Sequence, residues 1–147
     1  MNPMSHITRR IVRVMDLHNQ PEVLEAYDSA HRSRNTPDAV LRSQFDHGIA
    51  ELEIYRCGNR LVMLMEVTDT YDPAALDAEG ARSSEIVAWH QRMAQLQVAP
   101  FDDGIAWPEA HLVFRQSEQL DRPFGTTPAV SALAPDVVGA AVPSDDN

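Results

Sequence analysis

A tyrosine and a histidine stand four residues apart in the stretch YDSAH, residues 27–31. If this stretch is helical, Tyr27 and His31 present a phenol and an imidazole to the same volume, because residues i and i+4 share a helix face. An imidazole titrates near neutral pH and can either deliver or remove a proton. The pair therefore indicates either the wall of a site that transfers protons or a polar patch on a half-buried helix.

A carboxylate that could act with the histidine ends an apolar stretch further along the chain. Glu66 lies near the end of LVMLMEV, residues 61–67, which we expect to form a buried strand. Burial would raise the pKa of the Glu66 carboxyl group and make it a usable second acid or base. The alternative is a structural role, in which the carboxylate pairs with Arg9, Arg10 or Arg13.

An aromatic side chain suited to contact a ligand lies on a later helix. Trp89 shares a stripe with Ile86 and Met93 at helical spacing. Its indole offers a flat apolar face to a ligand. The same spacing is also typical of a core residue, so both interpretations of Trp89 stay open.

The hydrophobic pattern predicts strands and helices that would carry these residues. Asn19 and Pro21 suit the start of the first helix, and the Thr36-Pro37 step interrupts it. Gly58-Asn59 is a strong two-residue hairpin signal. The predicted strands are 7–17, 49–56, 61–67 and 106–116. The predicted helical segments lie within 18–33, 38–45 and 71–97. The last of these consists of two helices separated near Gly80, and Ser83 or Ser84 caps the second.

The order β-α-β-β-α-β is that of the ferredoxin-like unit, an α+β fold with helices on one face of an antiparallel sheet. No remaining segment can cover the other face of that sheet. A homodimer that packs two sheets face to face would bury it, so we expect a dimeric α+β barrel. The folded domain is expected to span residues 1–116. Residues 117–147 are rich in Pro, Ala and Asp without periodicity and are expected to form a flexible tail.

Composition restricts the partners and the compartment. The 147 residues carry a net charge of −10, which argues against nucleic acid and anionic membrane surfaces, because both attract clustered Lys and Arg. No apolar run approaches the roughly 18 residues of a membrane span, and the N-terminal stretch has no apolar signal segment. Cys57 is the only cysteine, and the histidines show no metal-ligand spacing. We therefore expect a cytoplasmic protein with a neutral ligand and no metal site.

Several of these segments together resemble the L-rhamnose mutarotase family, and more closely its L-fucose mutarotase-like branch. The resemblance rests on YDSAH in the first helix, GIAELEIYRCGNRLVMLMEV across the hairpin, and IVAWHQRM and AWPEAHLVF toward the end. It runs from about residue 10 to residue 116. It implies an isomerase that interconverts the α and β anomers of a free deoxyhexose, such as L-fucose or L-rhamnose, by acid–base ring opening without a cofactor.

The resemblance also implies roles for individual residues. His31 falls on the position of the catalytic proton donor, and Tyr27 falls on that of a tyrosine that binds sugar hydroxyls. Trp89 and His90 fall on a pair of tryptophans that pack the sugar, so one indole is replaced here. Leu52 falls on a substrate-binding position of the second strand that is tyrosine in rhamnose-type members, in a setting similar to the fucose-type branch.

Two departures from the family pattern keep other functions open. Thr36 stands where typical members have the indole of a Trp-Pro-Glu segment, and His90 replaces the second packing indole. The first alternative is a dimeric α+β barrel monooxygenase that acts on an aromatic substrate without a cofactor. The second is a non-catalytic binding module for a small ligand. Convergence of Tyr27, His31 and Trp89 on one cleft would favour the mutarotase, since the fold alone does not decide the function.

Overall fold

The structure is a computed structural model and describes residues 6–120 of the chain. Its strands are β1 (Ile7–Leu17), β2 (Ile49–Cys57), β3 (Arg60–Thr68), β4 (Gln97–Val98) and β5 (Glu109–Ala110). Its α-helices are α1 (Pro21–Ala30), α2 (Asp38–Asp46), α3 (Pro73–Arg82) and α4 (Ser84–Leu96), and a 3₁₀ helix covers Gln116–Gln119.

The strands form one antiparallel sheet in the order β2-β3-β1-β4, and β5 also pairs with β1. The helices pack on one face of this sheet, where alternate residues such as Met15, Leu61 and Met65 are buried. β3 and β1 are the central strands, and helical segments precede and follow the hairpin formed by β2 and β3. This is the ferredoxin-like arrangement. The predicted α+β fold class is therefore confirmed.

The end of the sheet differs from the prediction of one strand over 106–116. Only Glu109–Ala110 pairs with β1 in this stretch, and Gln97–Val98 forms a separate short strand before it. Trp107 has a φ of 51°, in the left-handed region, and Pro108 has no N–H to donate. These two residues keep the strand from beginning at residue 106, and it ends at Ala110, well short of the predicted residue 116.

Helix boundaries follow local chemistry with two corrections. Pro21 is the first residue of α1, as expected, but the N-cap is Gln20 rather than Asn19 and makes no side-chain capping bond. The break between α3 and α4 lies at Ser83 rather than near Gly80. Ser83 is the N-cap of α4, as one of the two predicted serines, and its hydroxyl accepts a bond from the Ile86 N–H at 3.4 Å. None of the helices that the structure describes is long and apolar enough to cross a membrane.

The expected tail, residues 117–147, falls mainly outside the described part of the chain. The structure describes it only as far as residue 120, and the 3₁₀ helix overlaps its beginning. Residues 121–147 lie outside the described residues. The division of the chain at residue 116 therefore stays a prediction.

The buried side chains form two clusters between the helices and the sheet. The larger cluster joins β1 and β3 to α1, α2 and α4 and includes Tyr27 and Trp89. The smaller cluster consists of Ile11, Ile49, Met65 and Val67, with partly buried side chains from the α3 region packed against it. Two side chains singled out for chemistry therefore belong to the larger cluster and are fixed by its packing.

Candidate active site

A cavity of about 570 Å³ lies between the sheet and helices α1, α2 and α4. This volume is within the range of small-molecule sites, roughly 300–1,000 Å³. Five of the residues singled out in the sequence line it, namely Tyr27, His31, Leu52, Trp89 and His90. The fold thus brings residues from three separate parts of the sequence to one concave surface.

Tyr27 and His31 are in contact, as their four-residue spacing predicts, with ring centroids 4.1 Å apart. The helix ends at Ala30, and His31 is its C-terminal cap with φ −103° and ψ 0°. Asp28, which follows Tyr27 in the sequence, accepts two hydrogen bonds from Arg56 on β2 at 2.8 and 2.6 Å. This two-point ion pair holds the last turn of α1 against the sheet and so positions the histidine.

The neutral imidazole of His31 has a defined tautomer. Its Nδ1 lies 2.7 Å from the carbonyl oxygen of Tyr27, and a carbonyl only accepts, so Nδ1 carries the proton. Nε2 then keeps its lone pair for a ligand. Burial lowers the pKa of His31 from its usual 6.5, and the bond to the Tyr27 carbonyl opposes this shift in part. His31 can therefore accept a proton from a hydroxyl group at neutral pH.

The phenol of Tyr27 is a hydrogen-bonding group rather than a base. The residue is 3% exposed, and burial raises the pKa of its hydroxyl well above the ordinary value of 10.0. A hydrogen bond with the side chain of Gln97 acts in the opposite direction but is the smaller effect. The hydroxyl therefore stays protonated at neutral pH and can donate to a ligand oxygen.

Trp89 belongs both to the core and to the cavity. It is 8% exposed and forms the buried stripe of α4 with Ile86 and Met93. Its ring also meets the His31 imidazole edge to face, with centroids 5.2 Å apart. The two interpretations of Trp89 are thus compatible, because one face of the indole packs inward while another part lines the cavity.

The remaining lining residues set the shape of the cavity. Leu52 extends from β2 on the helix side of the sheet, and His90 is an exposed residue of α4 at the rim. The Thr36 hydroxyl donates to the carbonyl of Ala30 at 3.1 Å and so caps the end of α1. Thr36 also lines the cavity. A threonine here leaves open the volume that an indole would fill.

Glu66 does not line the cavity. Its neighbours Met65 and Val67 are buried beneath the helices, and successive strand residues point to opposite faces, so Glu66 lies on the open face of the sheet. There it forms an ion pair with Arg10 at 3.4 Å. This is the structural role that the sequence also allowed, and from this position Glu66 does not reach the cavity that His31 lines.

A second tryptophan lines the cavity although the sequence argument gave it no role in a site. Trp107 precedes β5, and its left-handed backbone is held on both sides. Its N–H donates to Sδ of Met15 at 3.3 Å, and its carbonyl accepts from the Arg13 guanidinium at 3.4 Å. Unusual backbone conformations of this kind cluster at functional sites. In the sequence, Trp107 is marked only by the Pro that follows it, after a polar stretch. The apolar pattern of residues 106–116 had assigned this Trp-Pro pair to a strand.

The titratable groups in the lining are the imidazoles of His31 and His90 and the phenol of Tyr27. Gln44 and Gln97 add amide groups that donate and accept hydrogen bonds. Within the part of the chain that the structure describes, the lining contains no Asp, Glu, Lys or Arg. Residues 6–120 also hold no group of three or more His, Cys, Asp or Glu side chains arranged for a metal ion. The cavity therefore suits a neutral ligand with several hydroxyl groups.

The chain is similar to known proteins in sequence and in fold. The family model of L-rhamnose mutarotase matches residues 10–116. A curated L-fucose mutarotase from Xanthomonas campestris pv. campestris is 41% identical over 114 residues, which cover 76% of this chain and 91% of that protein.

Two solved structures share the fold at low sequence identity. An L-rhamnose mutarotase from Formosa agariphila superimposes with a TM-score of 0.53 at 20% identity, covering 74% of this chain and 98% of that one. Tetracenomycin F2 cyclase from Streptomyces glaucescens, a type-II polyketide cyclase, superimposes with a TM-score of 0.51 at 15% identity, covering 74% and 96%.

The sequence matches decide what the fold does not, because one fold here supports both an isomerase and a cyclase. The family model covers most of the chain, and the curated relative matches 114 of its residues. The resemblance carried by the Tyr27–His31 pair and the hairpin is therefore confirmed. The chain belongs to the L-rhamnose mutarotase family, a family of isomerases.

Proposed function

We propose that this chain is an aldose mutarotase that interconverts the α and β anomers of L-fucose in preference to L-rhamnose. The family supports mutarotase activity on these two sugars, and the 41% identical relative is an L-fucose mutarotase. The observation that carries the proposal is the convergence of Tyr27, His31 and Trp89 on one cavity. Leu52, at a position that is tyrosine in rhamnose-type members, supports the preference for L-fucose.

Mutarotation needs two coordinated proton transfers. The anomeric hydroxyl loses its proton, the bond from C1 to the ring oxygen breaks, and the ring oxygen gains a proton. Rotation about the bond between C1 and C2 and reversal of these steps gives the other anomer. Groups that titrate near the working pH are best suited to both transfers.

The lining residues can divide these tasks. His31 Nε2 takes the proton of the anomeric hydroxyl and returns it on closure, when the imidazolium is the donor. His90, the other imidazole in the lining, donates a proton to the ring oxygen on opening and takes it back on closure. Tyr27 is unsuited to this second transfer because its pKa is raised, so its hydroxyl holds a neighbouring sugar hydroxyl instead. The Trp89 indole packs against the apolar side of the sugar.

The two alternatives receive less support. A monooxygenase for an aromatic substrate would leave the Tyr27–His31 contact without a role, and the family match is to isomerases. A binding module would not need an imidazole whose Nε2 is kept free by a bond at Nδ1. Both alternatives predict no anomer exchange.

Saturation-transfer NMR on equilibrated L-fucose, and separately on L-rhamnose, tests the proposal. We expect exchange between the α and β signals above the buffer rate, and faster exchange for L-fucose. A preference for L-rhamnose would contradict the proposed sugar. Exchange at the buffer rate with both sugars, from a folded protein, would contradict the proposed activity.

Replacing Trp107 by alanine is expected to raise KM for L-fucose roughly tenfold, about 1.4 kcal/mol of binding, and to change kcat less. Trp107 lines the cavity and offers a second indole on which the sugar can stack. A stacking surface contacts substrate and transition state alike, and such contacts appear mainly in KM. Trp107→Phe keeps an aromatic face and should retain most of the affinity. A fall in kcat at unchanged KM would instead show that Trp107 acts on the chemical step.

We further propose that the chain forms a homodimer through the open face of its sheet. Val14 and Val62 are cross-strand neighbours there, as are Val12 and Leu64, and they form an apolar centre. Tyr55 extends this surface on β2 and is 57% exposed. An apolar sheet face of this kind is typical of a self-complementary interface.

Light scattering after gel filtration tests the dimer, and we expect twice the chain mass at micromolar concentration. Leu64→Arg should give a monomer, because it places an unpaired charge at the centre of the face. Leu64→Met conserves the apolar volume and should remain dimeric. A wild-type monomer would contradict the interface.

We propose the cytoplasm as the location. Cys57 is the only cysteine of the sequence and is exposed, and a chain without disulfides suits a reducing compartment. Cell fractionation with an antibody to the protein tests this, and recovery in a secreted fraction would contradict it.

A further inference from the structure

A second, smaller cavity adjoins the sugar cavity, and we refer to it as the annex. Its volume is about 100 Å³. Val40, Gln44 and His90 line both cavities, while Ser43, Leu76, Asp77 and Ile86 line only the annex. The three shared residues place the annex directly beside the sugar cavity, between α2, α3 and α4.

Ser43 gives the annex a buried hydroxyl without a partner. The residue is 2% exposed, and within the described part of the chain its Oγ makes no hydrogen bond. The carbonyl of the same residue is occupied by the His47 imidazole at 2.7 Å, so only the hydroxyl is left unpaired. Buried polar groups are almost always bonded to protein, water or ligand, because an unmet bond is costly.

The walls of the annex fit a group that is apolar on one side and hydroxylated at its end. Val40, Leu76 and Ile86 supply aliphatic contacts, the Ser43 hydroxyl can donate and accept, and the Asp77 carboxylate can accept from a ligand hydroxyl. A hydroxymethyl group has both properties. The methyl group of a 6-deoxy sugar would make the aliphatic contacts but would leave the Ser43 hydroxyl unpaired.

We propose that the annex is a subsite for a hydroxymethyl substituent of the sugar, with Ser43 as its hydrogen-bond partner. The inference rests on the proposed function and extends it from 6-deoxy sugars to hexoses that keep the 6-hydroxyl group. The substrate range is then broader than the family assignment indicates. Discrimination arises because a site built around a hydroxyl favours the ligand that satisfies it.

L-Fucose and L-galactose test the subsite because they differ only in the oxygen at C6. Saturation-transfer NMR on the wild type should show anomer exchange for both sugars. Ser43→Ala should lower kcat/KM for L-galactose roughly three- to tenfold and leave L-fucose within about twofold. Ser84→Ala removes an exposed serine of α4 and should change neither rate.

A second variant addresses the space itself. Leu76→Phe enlarges a side chain that lines the annex and not the sugar cavity, and should also reduce exchange of L-galactose selectively. If Ser43→Ala lowered kcat/KM equally for both sugars, the partner of the Ser43 hydroxyl would be a trapped water rather than the 6-hydroxyl group, and the subsite would be overturned. Unchanged L-galactose rates in both variants would overturn it as well.

The experiments test the proposed mutarotase activity and the proposed subsite separately. Wild-type exchange of L-fucose that is lost in His31→Ala supports the mutarotase whatever Ser43→Ala shows. If the wild type exchanges neither sugar, the proposed function fails. The affinity for L-galactose, measured by NMR titration of wild type and Ser43→Ala, then decides the subsite: weaker binding to the variant supports it, and equal binding overturns it.

Discussion

Replacing His31 by alanine is expected to slow anomer exchange of L-fucose by about 10²- to 10⁴-fold while the protein stays folded. The side chain lines the cavity, and its Nε2 is the proton acceptor left free by the bond from Nδ1 to the Tyr27 carbonyl. Removing it deletes one of the two proton transfers without touching the strands. Saturation-transfer NMR gives the rate, and circular dichroism checks the fold.

His47 provides a matched control for this substitution. It caps α2 as His31 caps α1, with the same φ of −103°, and its Nδ1 lies 2.7 Å from the carbonyl of Ser43. It does not line the sugar cavity and instead pairs with Glu79 at 3.2 Å. His47→Ala should therefore leave exchange within about twofold of the wild type. Equal losses in both variants would show that helix capping, not proton transfer, explains the effect.

The same histidine sets the sign of the pH dependence. Burial disfavours the imidazolium and lowers the pKa of His31 from 6.5, so the side chain stays neutral until the pH falls below that value. If the neutral form accepts the anomeric proton, the acidic limb of kcat/KM has its midpoint below pH 6.5. The rate of His31→Gln should lack this limb. A wild-type midpoint above 6.5 would contradict the assignment.

Replacing Gly48 by alanine is expected to lower the free energy of unfolding by about 3 kcal/mol or more. Gly48 has a φ of 93°, and a Cβ there would lie 2.5 Å from both Cα and N of Tyr71. These are backbone atoms, and they are held by the bond from the Tyr71 N–H to the Thr68 carbonyl, 3.2 Å, and by the bond from the Asp72 N–H to the His47 carbonyl, 3.2 Å. Thermal unfolding should show a Tm lower by roughly 10 °C.

Gly58 separates the two contributions to this loss. It also has a positive φ, 60°, but a Cβ there would meet nothing within 4 Å. Gly58→Ala therefore carries only the backbone strain and should cost about 1 kcal/mol. If the two variants melted at the same temperature, the contact with Tyr71 would contribute nothing. That result would contradict the packing argument at the corner between α2 and β2.

The local elements could be predicted because each has a short-range cause. The strict alternation in β2 and the Gly58-Asn59 turn determine the hairpin, whose strands pair from Cys57 and Arg60 outward. The Tyr27–His31 contact follows from helical spacing alone, although the helix itself ends just before the histidine. These features need no information about the rest of the fold.

The position of Glu66 could not be predicted in the same way. The segment LVMLMEV is apolar at nearly every position, so a period of two does not say which residues face the helices. Packing of Met65 and Val67 beneath the helices decides this, and it turns Glu66 to the open face, where Arg10 lies. A candidate acid for the site is thereby assigned to the opposite side of the sheet.

By itself the sequence determined the α+β fold, the family, and five of the residues that line the cavity, because helical spacing, alternation and turn residues act over a few positions. Only the tertiary structure decided the places of Trp107 and Ser43. Trp107 is fixed by Met15, 92 positions away in the chain. The Ser43 hydroxyl is buried beside the annex, which residues of α2, α3 and α4 enclose, and it has no partner among the described residues. Contacts between distant segments leave no local pattern in the sequence, so these two residues become visible only when the chain is folded.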